Sequence, residues 1–240
     1  MSNPVLNERF IDRATVMGEP LTMTGVLQKT TVLFAILLVS AIFVFIKGLE
    51  GHIDMVNGIT IGGAVVGLIL AVAICLTKKM FLTPLYAVAE GVFIGGLSFI
   101  MEKFYPGIVQ TAVLGTVMAV ALMLFLYSAK IIKCSETLMG IVLTTTGAIG
   151  GIYFIQFVGS WFGLSIPGLF GNGTVGIVFS LLVIGIAALN LILDFHFIEQ
   201  ATTQPTPKEY EWYFGFSLMV TIVWLYVEIL RLLAKLNSRD

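Results

Sequence analysis

Seven apolar stretches run along the chain, at residues 30–46, 58–76, 81–101, 108–128, 138–162, 174–198 and 213–234, separated by short polar connections. An α-helix needs about 20 such residues to cross a hydrocarbon core about 30 Å thick, so each stretch predicts one transmembrane helix. The expected fold is an all-α integral membrane protein. It comprises an N-terminal segment over 1–29, a seven-helix transmembrane domain over 30–234 and a basic C-terminal tail over 235–240. No repeat or low-complexity tract divides the chain. The connection ATTQPTPKEYEW, punctuated by Thr and Pro, reads as the turn that joins the last two helices.

Composition agrees with this pattern. The chain is 58% hydrophobic and 11% charged, with a mean hydropathy of +1.01, whereas soluble domains are about a quarter charged. A formal net charge of −1 leaves no basic surface of the kind nucleic acid requires, so no nucleic-acid partner is expected. Cys75 and Cys134 are too few for a disulfide framework and lack zinc-type spacing, so both read as free thiols. No metal site, bound cofactor or enzymatic activity is expected.

Charge in the connections sets the orientation, because cytoplasmic loops collect Lys and Arg. With the N-terminus cytoplasmic, the inner side holds Arg9, Arg13, Lys29, Lys78, Lys79, Lys130, Lys133 and Lys208, and the outer loops hold Lys47 and Lys103. The tail is the exception, since seven spans put Arg231, Lys235 and Arg239 outside. Residues 1–29 carry Glu8, Arg9, Asp12, Arg13 and Glu19 without the layout of a signal peptide, and are expected to stay in the cytosol.

Small residues recur at helical spacing in three pairs, Gly63 with Gly67, Gly91 with Gly95, and Gly147 with Gly151. Such pairs let helix backbones approach closely in lipid. Ionisable groups within the apolar stretches are rarer and cost a few kcal/mol at mid-bilayer. Glu90, in PLYAVAEGVFIGG, lies near the middle of the third stretch and should be protonated, paired or beside water. Asp194, in NLILDFHFIEQ, shares a helix face with Asn190 one turn earlier, a narrow polar stripe expected to point into the bundle. Glu228, in WLYVEILRLLAKL, has Arg231 three residues on, within reach for a local ion pair.

Several of these stretches together resemble the Bax inhibitor-1 (transmembrane Bax inhibitor motif) family. They are the seven segments, the aspartate of NLILDFHFIEQ and the last helix SLMVTIVWLYVEILRLL; NPVLNERF and MEKFYPGIVQTAVLGT are similar to its bacterial branch. The resemblance implies a seven-helix bundle with the last helix central, set in a bacterial inner membrane. It also implies a pH-dependent leak of Ca²⁺, with calcium as permeant ion. In such proteins two aspartates, late in the sixth helix and in the seventh, share a proton as pH sensor, and a basic residue at the end of the second helix latches onto them. Asp194 matches the first aspartate, and Lys78 or Lys79 the basic residue.

The seventh-helix acid departs from that pattern. Anchored on the Leu-Tyr-x-acid phrase, the match puts Glu228 in the sensor role; anchored on Ser217, Leu218 and Arg231, it puts Thr221 there. Straight, centred helices would leave Asp194 and Glu228 about 20 Å apart along the membrane normal, so a direct pair of these two requires considerable tilt. A polar path through Asp194, Thr221, Glu228, Asn190 and Glu90 is the expected ion pathway. Other functions compete with it. An intramembrane aspartyl protease requires a Gly-x-Gly-Asp motif absent from this chain, and a proton-coupled transporter is expected to show internal repeats. The alternative retained is a non-conducting regulator that binds a membrane protease or another membrane protein.

Overall fold

The structure is a computed structural model that describes residues 19–163 and 168–238; NPVLNERF and Arg239 lie outside the described residues. Its helices are α1 (Met23–Leu49), α2 (Ile53–Thr77), α3 (Thr83–Phe104), α4 (Ile108–Ser128), α5 (Glu136–Trp161), α6 (Thr174–Thr203) and α7 (Tyr210–Asn237). All seven are long and apolar enough to cross a membrane, giving an all-α seven-span bundle. Two helices extend ahead of their apolar stretches behind a side-chain cap, α1 at Thr22 and α5 at Ser135. α1 begins seven residues ahead of its apolar stretch because the Thr22 hydroxyl accepts from Gly25 N–H at 3.0 Å. α2 stops where Lys78 turns into the left-handed region, at φ 51°. α4 opens after Gly107, whose N–H, with that of Val109, donates to the Glu102 carboxylate.

The chain divides into two compact units. The first draws on Met1–Gly95 and His196–Met219, so that it holds α1, α2, the start of α3, the end of α6 and the start of α7. Gly91 and Gly95 fit against α1 so closely that a Cβ on either would lie 2.3 Å from a backbone oxygen, that of Leu37 or Ala41. Gly63 meets the α3 backbone at Ala89 and Phe93 in the same manner, with 2.9 Å contacts. At the head of α1, residues Glu19 to Thr22 lie along the α6–α7 connection. Leu21 N–H donates to Thr206 O at 2.9 Å, Lys208 N–H donates to Glu19 O at 3.1 Å, and the Lys208 ammonium pairs with the Glu19 carboxylate. That ammonium holds the Glu19 carboxyl below its usual range, and the Lys208 pKa rises in return. Glu211, fully buried, accepts from both Thr22 N–H and the Thr22 hydroxyl at 3.1 Å. Its charge stands at the N-terminus of α1, where the helix dipole favours an anion.

The second unit draws on Gly96–Phe195 and Val220–Asp240. Within it the Ser98 and Tyr226 hydroxyls meet at 2.7 Å. Half of the apolar window of α7 is buried, against 17% in α4 and 11% in α5. α4 and α5 present Met118 and Phe154 outward, as lipid-facing helices do.

The third glycine pair behaves differently from the first two. A Cβ at Gly147 or Gly151 would meet nothing within 4 Å among the described residues, so this face of α5 is not a close helix contact. Gly95→Leu is therefore expected to cost about 1–3 kcal/mol through overpacking. Gly147→Ala should stay within about 0.5 kcal/mol of the parent. Unfolding midpoints in mixed detergent and dodecyl sulfate would measure both, and equal midpoints for the two variants would refute the distinction.

Candidate functional site in the second unit

All four polar groups singled out in α6 and α7, Asn190, Asp194, Thr221 and Glu228, find partners on other helices of the second unit. The Thr221 hydroxyl, 8% exposed, donates to Asp194 Oδ2 at 2.6 Å, joining α7 to α6. One turn before Asp194, the Asn190 amide donates from Nδ2 to the Thr146 hydroxyl of α5 at 2.8 Å and to Ile186 O at 2.9 Å. The polar stripe on α6 thus faces its neighbours, as its spacing predicts. Threonine is well suited to this position, since a hydroxyl can donate to a carboxylate without adding charge.

Glu228 belongs to a separate cluster. It is 1% exposed and accepts at Oε1 from Tyr153 OH at 2.8 Å, Trp224 Nε1 at 3.3 Å and Arg231 Nη1 at 3.1 Å. Arg231 Nη1 also donates to the Tyr153 hydroxyl at 2.7 Å, and its guanidinium lies 5.0 Å from the centre of that ring. The local pair expected from the i, i+3 spacing is present, closed by a tyrosine from α5. Thr221 and Glu228 lie seven residues apart on α7, about 10 Å along the axis, so it is Thr221, of the two candidates, that answers Asp194.

The remaining candidates lie in the first unit. Glu90 is half-buried on α3, with Tyr86 one turn earlier, and a Cβ on Gly67 of α2 would come within 3.1 Å of its Oε2. Lys78 and Lys79 close α2 with exposed side chains. Lys235, grouped with the tail in the sequence, lies in the last turns of α7 and is 5% exposed. Its ammonium donates to Gly176 O and the Ser180 hydroxyl, both at 2.9 Å, and to Leu169 O at 3.3 Å. Among the described residues no three His, Cys, Asp or Glu side chains converge as a metal site would require.

Sequence reasoning missed Thr146, Tyr153 and the burial of Lys235. A signal existed for Tyr153, a phenol in an otherwise apolar run, because a buried Tyr hydroxyl usually finds a partner. None existed for Thr146, one of three consecutive threonines.

Comparison with known proteins found no match among curated proteins and none among solved structures. The family model described as Bax inhibitor 1 like matches residues 3–238, nearly the whole chain. With the seven spans and the inward-facing aspartate of α6 in place, the chain belongs to the Bax inhibitor-1 family.

Proposed function

We propose that this protein is a pH-sensitive leak pathway for calcium in a bacterial inner membrane, with its N-terminus cytoplasmic and Asp194 as the titrating group. The observation that carries this reading is the Thr221 to Asp194 hydrogen bond between two membrane helices. A carboxyl in an apolar bundle is costly, and sequences retain one where ions or protons pass. Deprotonation of Asp194 leaves a negative oxygen site, and calcium, a hard cation, takes oxygen ligands. Both Asn190 hydrogen bonds use its nitrogen, so its Oδ1 can join the carboxylate as a weak ligand. Passage needs sites weak enough to leave. Lys78 and Lys79 are the groups that would serve as the basic latch, and Glu90 and Glu228 further acids along the route. In this reading the protein performs no covalent chemistry, holds no cofactor, and carries calcium as cargo.

Reconstitution into liposomes that enclose a calcium dye tests the proposal. Influx is expected to vary with pH in the parent, and that variation should vanish in Asp194→Asn. Absence of flux at every pH from folded protein would sink the leak and leave a non-conducting regulator of another membrane protein, a protease for example.

A further inference from the structure

A cavity of about 800 Å³ opens at the C-terminal end of α7, and all of its walls belong to the second unit. Phe104, Phe157 and Phe170 form aromatic walls, and Arg231 and Lys235 line it from α7. The volume is in the range of small-ligand sites, and the mix of apolar walls with a few polar groups is what such sites share.

The charges there are unbalanced. Arg231 and Lys235 are cationic and, among the described residues, Glu228 is the one acid bonded to either, which leaves one positive charge in excess within that set. The two cations are not equivalent as donors. The three acceptors around Lys235 match the three N–H groups of its ammonium, so it contributes field alone. Among the described residues every hydrogen bond of Arg231 leaves from Nη1 and none from Nη2 or Nε, and its side chain is 38% exposed. The Glu228 and Tyr153 contacts thus fix a guanidinium with free donors beside the cavity. A guanidinium fork suits phosphate oxygens. Phe104 and Phe157, 70% and 58% exposed, offer apolar surface that inorganic phosphate cannot use and an acyl chain can.

We infer that this cavity binds the headgroup of a phospholipid with net negative charge, its phosphate on Arg231 and its acyl chain against Phe104 and Phe157. The position supports this occupant, because the last turns of a membrane-spanning helix lie where headgroups lie.

Native mass spectrometry of the full chain released from detergent, with phosphatidylglycerol or chain-matched phosphatidylcholine added, tests the inference. Phosphatidylglycerol is expected to be retained in preference. Asn172→Asp and Ser238→Glu put a carboxylate at exposed positions lining the cavity and touch neither Arg231 nor Glu228. Each should weaken phosphatidylglycerol retention by about fivefold, the worth of one charge at a membrane surface, with an unchanged unfolding midpoint. Equal retention of the two lipids would overturn the inference, as would parental retention by both variants. Inorganic phosphate binding as tightly as phosphatidylglycerol would also overturn it, since the apolar walls would then contribute nothing.

Discussion

Arg231→Met is expected to destabilise the protein by about 2–4 kcal/mol, because it strands a carboxylate that has almost no access to solvent. Glu228 is 1% exposed, and without Arg231 its remaining donors are Tyr153 and Trp224. Breaking a fully buried pair costs about 3–5 kcal/mol; the half-exposed guanidinium, already partly hydrated, argues for the lower part of that span. Tyr153 loses a partner as well, since its hydroxyl accepts from Arg231. The double variant Glu228→Met with Arg231→Met removes the stranded charge and should recover most of the loss. Unfolding midpoints of the two variants decide the matter. A single variant as stable as the double would mean that Glu228 is not held as an ion.

Thr221→Asp should change how the membrane site responds to pH. In the parent, Asp194 accepts a hydrogen bond from the Thr221 hydroxyl, a group that carries no charge. An aspartate at 221 would set two carboxyls at hydrogen-bonding distance in a medium of low dielectric, where both cannot ionise. The pair would then hold one proton between them and release its two protons in separate macroscopic steps. The expected readouts are a two-step pH dependence of calcium flux and an additional infrared band from a protonated carboxyl at neutral pH. A variant with the parent's flux profile and no added band would show that the two side chains do not share a proton. Thr221→Val, which removes the donor and adds no acid, should instead cost about 1–3 kcal/mol.

Much of this protein can be read in its hydropathy. The seven spans, the inward stripe of Asn190 and Asp194, and the Glu228–Arg231 pair all depend on spacing within one helix, which a sequence displays directly. The partner of Asp194 depends on the register between α6 and α7, which it does not. Depth estimates from apolar windows narrowed the choice, since Thr221 lies in the first half of α7 and Glu228 in the second, but only the packed helices select the hydroxyl. The glycine pairs teach the same lesson. Gly91 with Gly95 and Gly147 with Gly151 look alike as sequence, yet one face meets the α1 backbone and the other no neighbouring helix among the described residues. Helix length was underestimated for a related reason, because capping by Thr22 carries a helix past the point where its apolar residues end.

The clasp between Thr22 and Glu211 spans 189 positions of sequence. α1 leaves the ribosome well before α7, and the carboxylate that receives the N–H and hydroxyl of its cap, Thr22, arrives only with α7. Until then that end of α1 has to rely on water or lipid headgroups. Insertion is therefore finished from its beginning: the arrival of α7 closes the bundle on the helix that started it, and a nascent chain cut short before Tyr210 would keep an open end.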